Sequence, residues 1–340
     1  MKQVAATGLV LLLLLFLLPM LLLRGEPLVT PGGETVQESG GLPLDREVVT
    51  APPESADAAL SVTVDTGEGG VVTLSMEEYL WRVVAAEMPA SFESEALKAQ
   101  TVAARTYTVA KMEQTVQAHP DAQVCTDIAC CQAYIDPAQA AANWGENAQS
   151  YTQKIADAIS QTDGMVILYQ GQPIQAVFFS SAAGRTVDAV EVWGNAVPYL
   201  TGVDSPEEEE DVPNYHSTVT IPAEEFKSRL LAAYSGADLN GDPAGWFQNT
   251  VCNSAGGVDT VEVGGVTLTG QQVRALFELR SANFTVTAGE DGITFTVTGY
   301  GHGVGMSQYG ANALAKQGKS WEEILKWYYT GVEIAPYDPG

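Results

Sequence analysis

Residues 75–117 read SMEEYLWRVVAAEMPASFESEALKAQTVAARTYTVAKMEQTVQ, and this stretch decides how the rest of the chain is organised. Ser75 and Glu78 form a capping-box pattern, in which each side chain satisfies a backbone N–H that a helix start leaves open. Tyr79, Leu80, Val83 and Val84 follow at helical spacing. Pro89 ends that helix, because a proline disfavours helical geometry in the residue before it. A second helix is expected from Ser94 to about Gln117, with Leu97, Thr101, Ala104, Thr108 and Lys111 on one stripe and Lys98 and Arg105 on another. The frequent alanines point to close packing.

On either side of this helical pair the pattern changes. Residues 61–64 and 71–74 are short β-type runs around the turn sequence 66–70, a hairpin signal. Residues 119–148 read as irregular, and 151–160 as a short helix. From Gly164 onward β-type runs dominate, at 165–169, 174–179 and 217–221, with strand pairs at 258–268 and 283–298. Helices are expected at 224–233 and, behind Ser320 and Glu323, at 320–329. Helices and strands are segregated, so the expected class is α+β: long N-terminal helices packed with antiparallel β segments.

The 42 acidic and 16 basic residues give a net charge of −26, which excludes the clustered positive charge that nucleic-acid binding needs. The run Glu207 to Asp211 reads as a solvated loop. Residues 1–24 carry about 20 apolar positions, enough to span a bilayer as a helix. A cleaved signal peptide is the rival reading, but no A-x-A site follows. The expectation is a retained single-pass anchor at 1–24, a Pro/Gly/Glu/Ser-rich linker at 25–57 and a folded region at 58–337 outside the cytoplasm.

Several side chains are candidates for chemistry. Glu87 sits among Val83, Val84, Ala85, Ala86 and Met88, where apolar surroundings raise a carboxyl pKa and suit it to donate a proton; an ordinary solvated glutamate is the alternative. Lys98 and Arg105 are two turns apart and suited to carboxylates, or to local glutamates. Ser180, Ser181 and Thr186 flank Gly184 and offer hydroxyls, either to sugars or to a turn. Tyr199 is placed to stack on a sugar or to pack in the core. His302 lies between Gly301 and Gly303, which let a backbone approach a ligand closely, and Gln308 and Tyr309 follow it. No G-x-S-x-G elbow supports a serine hydrolase. His119, Cys125, Cys130 and Cys131 place four soft ligands in one short segment, as structural zinc requires. Disulfides involving Cys252, or free thiols, remain open.

Three segments together resemble the stage II sporulation protein D family, which is related to the amidase enhancers. They are 78–107; Phe179-Ser180-Ser181-Ala182-Ala183-Gly184-Arg185-Thr186; and Gly301-His302-Gly303-Val304-Gly305-Met306-Ser307-Gln308-Tyr309-Gly310-Ala311. The middle segment departs from the family pattern at Ala182-Ala183. The resemblance covers 59–335 and implies a peptidoglycan lytic transglycosylase acting during engulfment in sporulation, with Glu87 as its acid. It further implies the stage II sporulation proteins P and M as partners and a place in the mother-cell membrane facing the intermembrane space. Some family members carry metal sites with this ligand spacing, although Cys130 stands where they usually have His. The amidase-enhancer kinship supports another function, a glycan-binding activator that does not itself cleave, and a plain wall-binding role is a third.

Overall fold

The computed structural model describes residues 55–112, 114, 116, 118–289 and 292–338. They form an α+β fold with several small sheets around two hydrophobic cores.

The first core is built around the helix Ser94–Met112. Its small residues, Ala96, Ala99, Ala103 and Ala104, are fully buried and let neighbouring helices approach closely. Thr101, Thr106 and Thr108 turn their hydroxyls back onto carbonyls one turn earlier, so they enter the core without orphaned donors. The helices Met76–Glu87, Ala148–Ser160, Gln308–Lys316 and Trp321–Tyr328 pack against this rod, as does the strand Met165–Tyr169. Strand Ser61–Asp65 pairs antiparallel with Val71–Ser75 and parallel with Val124–Cys125. Strand Phe178–Phe179 pairs parallel with Met306–Ser307 and so brings the second and third motifs side by side.

The second core belongs to an excursion of the chain between those two motifs. It holds two three-stranded antiparallel sheets, 216–221 with 284–298 and 247–269, and the helices Ala223–Ala233 and Gly270–Phe277. Phe226 lies at its centre, stacked on Phe277 at 4.5 Å and on Trp246 at 5.8 Å between ring centroids.

Several expectations need correction. Among the described residues no helix is long and apolar enough to cross a membrane, so the single-pass membrane architecture and the membrane localisation are not upheld; the span assigned to 1–24 lies outside the described residues. Residues 55–57, which fall in the stretch read as linker, are tied to the fold. The Asp163 carboxylate accepts from Ser55 Oγ and from the N–H groups of Ala56 and Asp57. The helix Ser94–Met112 is shorter than read, and helix Pro137–Trp144 lies in the stretch read as irregular, started by Asp136 as N-cap and Pro137 in the first turn. Glu207 is not solvated: it is 6% exposed, and its carboxylate accepts from Ala182 N–H and Ser307 Oγ, both at 2.6 Å. Glu207 thus ties the second motif to the third.

Candidate functional site

Glu87 ends the helix Met76–Glu87 and faces a groove of about 510 Å³. The groove is walled by Tyr107, by the loop 128–133, by 177–180, by 300–302 and by Gln308, with Arg274 reaching in from the second core. Glu87 is the one carboxylate among the described residues that line it. Burial raises its pKa above the ordinary carboxylate range; the Ala133 N–H, which donates to Oε1 at 2.6 Å, and the Gln308 side chain pull it part of the way back.

The third motif supports this groove in a way its sequence does not announce. Gly301, Gly303 and Gly305 all adopt positive φ. A Cβ at Gly301 would meet Phe179, one at Gly303 would meet Val187, and one at Gly305 would lie 2.2 Å from the Val177 carbonyl oxygen. These glycines make room for the second motif and the residues that flank it. His302 is held between the rings of Phe179 and Trp193, at 5.5 and 5.8 Å. Its Nδ1 accepts from Val304 N–H, which leaves Nε2–H to donate to the Phe178 carbonyl at 3.1 Å. Burial, with Arg274 adding repulsion, pushes its pKa down to about 4. The imidazole is therefore neutral at neutral pH and orients the 178–180 wall.

This has a pH signature. A histidine whose pKa is lower folded than unfolded stabilises the fold above about 6.5 and loses that contribution as pH falls toward the folded value. The stability difference between wild type and His302→Gln should therefore shrink from pH 6.5 to about 4, by up to about 3 kcal/mol. Urea melts at several pH values check this; a difference independent of pH overturns it.

Of the residues picked out from sequence, Glu87, Ser180, His302 and Gln308 meet at the groove, and Cys130 and Cys131 line it too. The others lie elsewhere. Arg105 is 1% exposed and forms a buried ion pair with Asp57, its Nε and Nη2 donating to the two carboxylate oxygens at 2.8 and 2.5 Å. Lys98 pairs with Glu95 at 2.6 Å. Two turns of helix do align Lys98 with Arg105, but local and long-range acids occupy both. Ser181 and Thr186 are buried, and Thr186 exchanges hydrogen bonds with Val203. Tyr199 packs on Tyr169 at 5.5 Å, and Tyr309 packs edge-on against Phe92 at 4.9 Å.

Tyr107, Arg274 and Tyr300 line the groove without having been picked out. Thr269 and Gln272 make a full capping box at the start of the helix that carries Arg274. That T-x-x-Q pattern is legible in the sequence and marks the helix.

His119, Cys125, Cys130 and Cys131 bring their ligand atoms within 4.8 Å of one another, and this cluster can hold a metal ion. The donor set fits: His119 Nδ1–H donates to the Ala122 carbonyl at 2.8 Å, which leaves Nε2 free, 3.5 Å from Cys131 Sγ. Burial pushes the Cys131 thiol up to about 12, so a cation is needed to hold it as thiolate. Cys252 is exposed on a strand of the second core, and no disulfide joins it to these three cysteines. The cysteine loop also shapes the groove. Tyr107 donates to the Cys130 carbonyl, and the segment just beyond Cys131 supplies the N–H that holds Glu87.

A sequence model of the stage II sporulation protein family matches residues 65–169, the part holding Glu87 and the metal cluster. The stage II sporulation protein D of Bacillus subtilis (strain 168) is 37% identical, over 99% of this chain and 97% of its own length. That of Bacillus amyloliquefaciens is 38% identical, over 86% and 84%. The amidase enhancer of Bacillus subtilis is 31% identical over 75% of this chain and 40% of its own length. A match that runs nearly end to end at this identity covers the helix bearing Glu87, the cysteine loop and the glycine-rich third motif alike, and the chain belongs to the stage II sporulation protein D family.

Proposed function

We propose that the chain is a peptidoglycan lytic transglycosylase in which Glu87 is both acid and base. The observation that carries the reading is the lone, partly buried carboxylate in a groove large enough for sugar rings. Ordinary glycoside hydrolysis uses two carboxyl groups, one as acid and one as nucleophile or base. One suffices where the substrate supplies its own nucleophile. Protonated Glu87 gives its proton to the glycosidic oxygen as the C1–O bond breaks. As a carboxylate it then takes the proton from the C6 hydroxyl of the same muramyl ring as O6 bonds to C1. The Ala133 N–H and Gln308 stabilise the carboxylate in between. His302, held neutral, keeps the 178–180 wall in place throughout.

Mass spectrometry of purified glycan strands after incubation with the full chain tests this. The expected products are 1,6-anhydromuramyl ends, lighter by one water than hydrolytic ends. Reducing ends would mean a hydrolase and overturn the reading. The kinship with the amidase enhancer favours a second reading, glycan binding that activates a separate amidase. Failure to cleave any glycan, peptide-free strands included, together with stimulation of an amidase, would select it.

We further propose zinc as the ion of the His119 cluster, in a structural role, because three thiolates and one imidazole in a closed loop are its preferred set. Elemental analysis should give close to one zinc per chain. Chelation should lower the melting temperature by at least roughly 5 °C, since metal binding and loop folding are coupled. It should also reduce cleavage, because the loop carries the Ala133 donor. Protein free of zinc and fully active would overturn the assignment.

A further inference from the structure

Beside the Glu87 groove, and sharing Arg274 and Tyr300 with it, lies a second hollow of about 470 Å³ formed by the helix Gly270–Phe277 and the turn after it. Arg274 and Arg280 line this hollow. Among the described residues Arg105, Lys98, Arg185, Arg229, Lys316 and Lys319 each pair with an acid. Arg274 and Arg280 form no ion pair among the described residues. Arg274 donates to the Leu279 carbonyl and to Gln271 Oε1, both at 3.3 Å, bonds that aim the guanidinium without neutralising it. Burial disfavours its charged form, so an uncompensated cation here costs stability. Arg280 lies over the Tyr300 ring, 4.1 Å from its centroid, and its buried Nε has no hydrogen-bond partner. The remaining charge in the hollow is Glu278, which turns to Arg229 at 3.6 Å.

We propose that Arg274 and Arg280 form a carboxylate-binding subsite that holds an acidic substituent of the glycan strand while Glu87 acts on the neighbouring linkage. The proposal rests on the glycan-cleaving reading above and names the part of the substrate that the second core recognises. Two planar forks of N–H donors facing one hollow match a carboxylate, which accepts such bonds in pairs. Tyr300, 44% exposed and stacked on Arg280, offers an apolar ring at the junction of the two hollows, where a sugar would pass from one to the other. Muramyl glycan carries carboxylates from two sources: the lactyl group, when no peptide is attached, and the stem peptide. Both have the same chemistry toward arginine.

Isothermal titration on the full chain distinguishes them. The Glu87→Gln variant is used so that ligands stay whole, and chromatography of the ligands afterwards checks that they have. Ligands are an N-acetylglucosamine–muramic acid tetrasaccharide with free lactyl carboxylates, its lactyl carboxamide, the same tetrasaccharide bearing stem peptides, and chitotetraose. One of the two acid-bearing ligands should bind roughly 10- to 100-fold more tightly than the uncharged pair. Which one does so identifies the source. Arg274→Gln with Arg280→Gln should bring that ratio close to one, and Arg280→Lys should keep part of it. The ligand series needs no folded arginine variant, so a destabilised double variant does not shield the idea. Equal binding of charged and uncharged ligands, or a ratio that survives loss of both arginines, overturns the subsite. Cleavage of ligand by Glu87→Gln would instead count against the role given to Glu87.

Discussion

Glu87→Gln should fold as the wild type does, bind glycan, and lose cleavage by a factor of at least roughly 10² to 10⁴, the contribution of a positioned general acid–base. The change is isosteric, and an amide oxygen still accepts from the Ala133 N–H. What the amide lacks is a proton to give and a carboxylate to take one back, and both halves of the proposed cycle pass through this atom pair. The melting temperature should stay level or rise slightly, because a neutral amide carries no desolvated charge. Glycan release assays with matched circular dichroism settle it. Near-normal cleavage by Glu87→Gln removes this residue from the chemistry; a collapsed fold would show that the carboxylate is structural.

The second large effect lies far from the groove. Asp57→Ala should destabilise the fold by about 3–5 kcal/mol, because it removes the carboxylate to which the Arg105 guanidinium, 1% exposed, donates twice, and leaves only the field of Asp163 to offset the buried charge. For a folded region of this size that is a fall in melting temperature on the order of 10 °C. Replacing both partners, Asp57→Ala with Arg105→Met, should recover much of the loss, since the buried charge goes with its partner. Thermal melts of the two variants measure this directly. If Asp57→Ala melts within a degree or two of wild type, the pair is not the clamp described. The double variant should also cleave glycan once folded, which separates a structural Arg105 from one that touches substrate.

How far the sequence could be read depends on the range of the interactions involved. The helices around Glu87 were legible because their signals are local: the Ser75/Glu78 and Ser320/Glu323 capping boxes both form as read. The raised pKa of Glu87 was legible because its apolar neighbours are its neighbours in sequence. Arg105 was not, because its partner comes from a segment that composition alone assigns to a linker. Glu207 reads as one member of an acidic run, and only the fold supplies the Ala182 and Ser307 donors that draw it inward. The glycines around His302 announce close approach but not what approaches. Arg274 and Arg280 were missed although Thr269 and Gln272 mark their helix, because nothing local says which groove that helix will face. The membrane architecture rested on 1–24 alone, and the described residues do not sustain it.

Behind the groove, contacts join early and late segments of the folded region. Glu93 N–H donates to Asn312, Trp321 N–H to Glu95, and Gln308 to Gln100, across 219, 226 and 208 residues. Loops of that length carry an entropic cost that must be met before any of these contacts forms, and such pairings come late in folding. A chain that stops short of Gln308 would have its paired helices, its cysteine loop and Glu87, yet lack Gln308 and the helices Gln308–Lys316 and Trp321–Tyr328 that pack against Ser94–Met112. On the glycan-cleaving reading proposed above, cleavage then begins as a last event, once Gln308 is in place beside Glu87, and a molecule clipped before it lacks that stabilising partner.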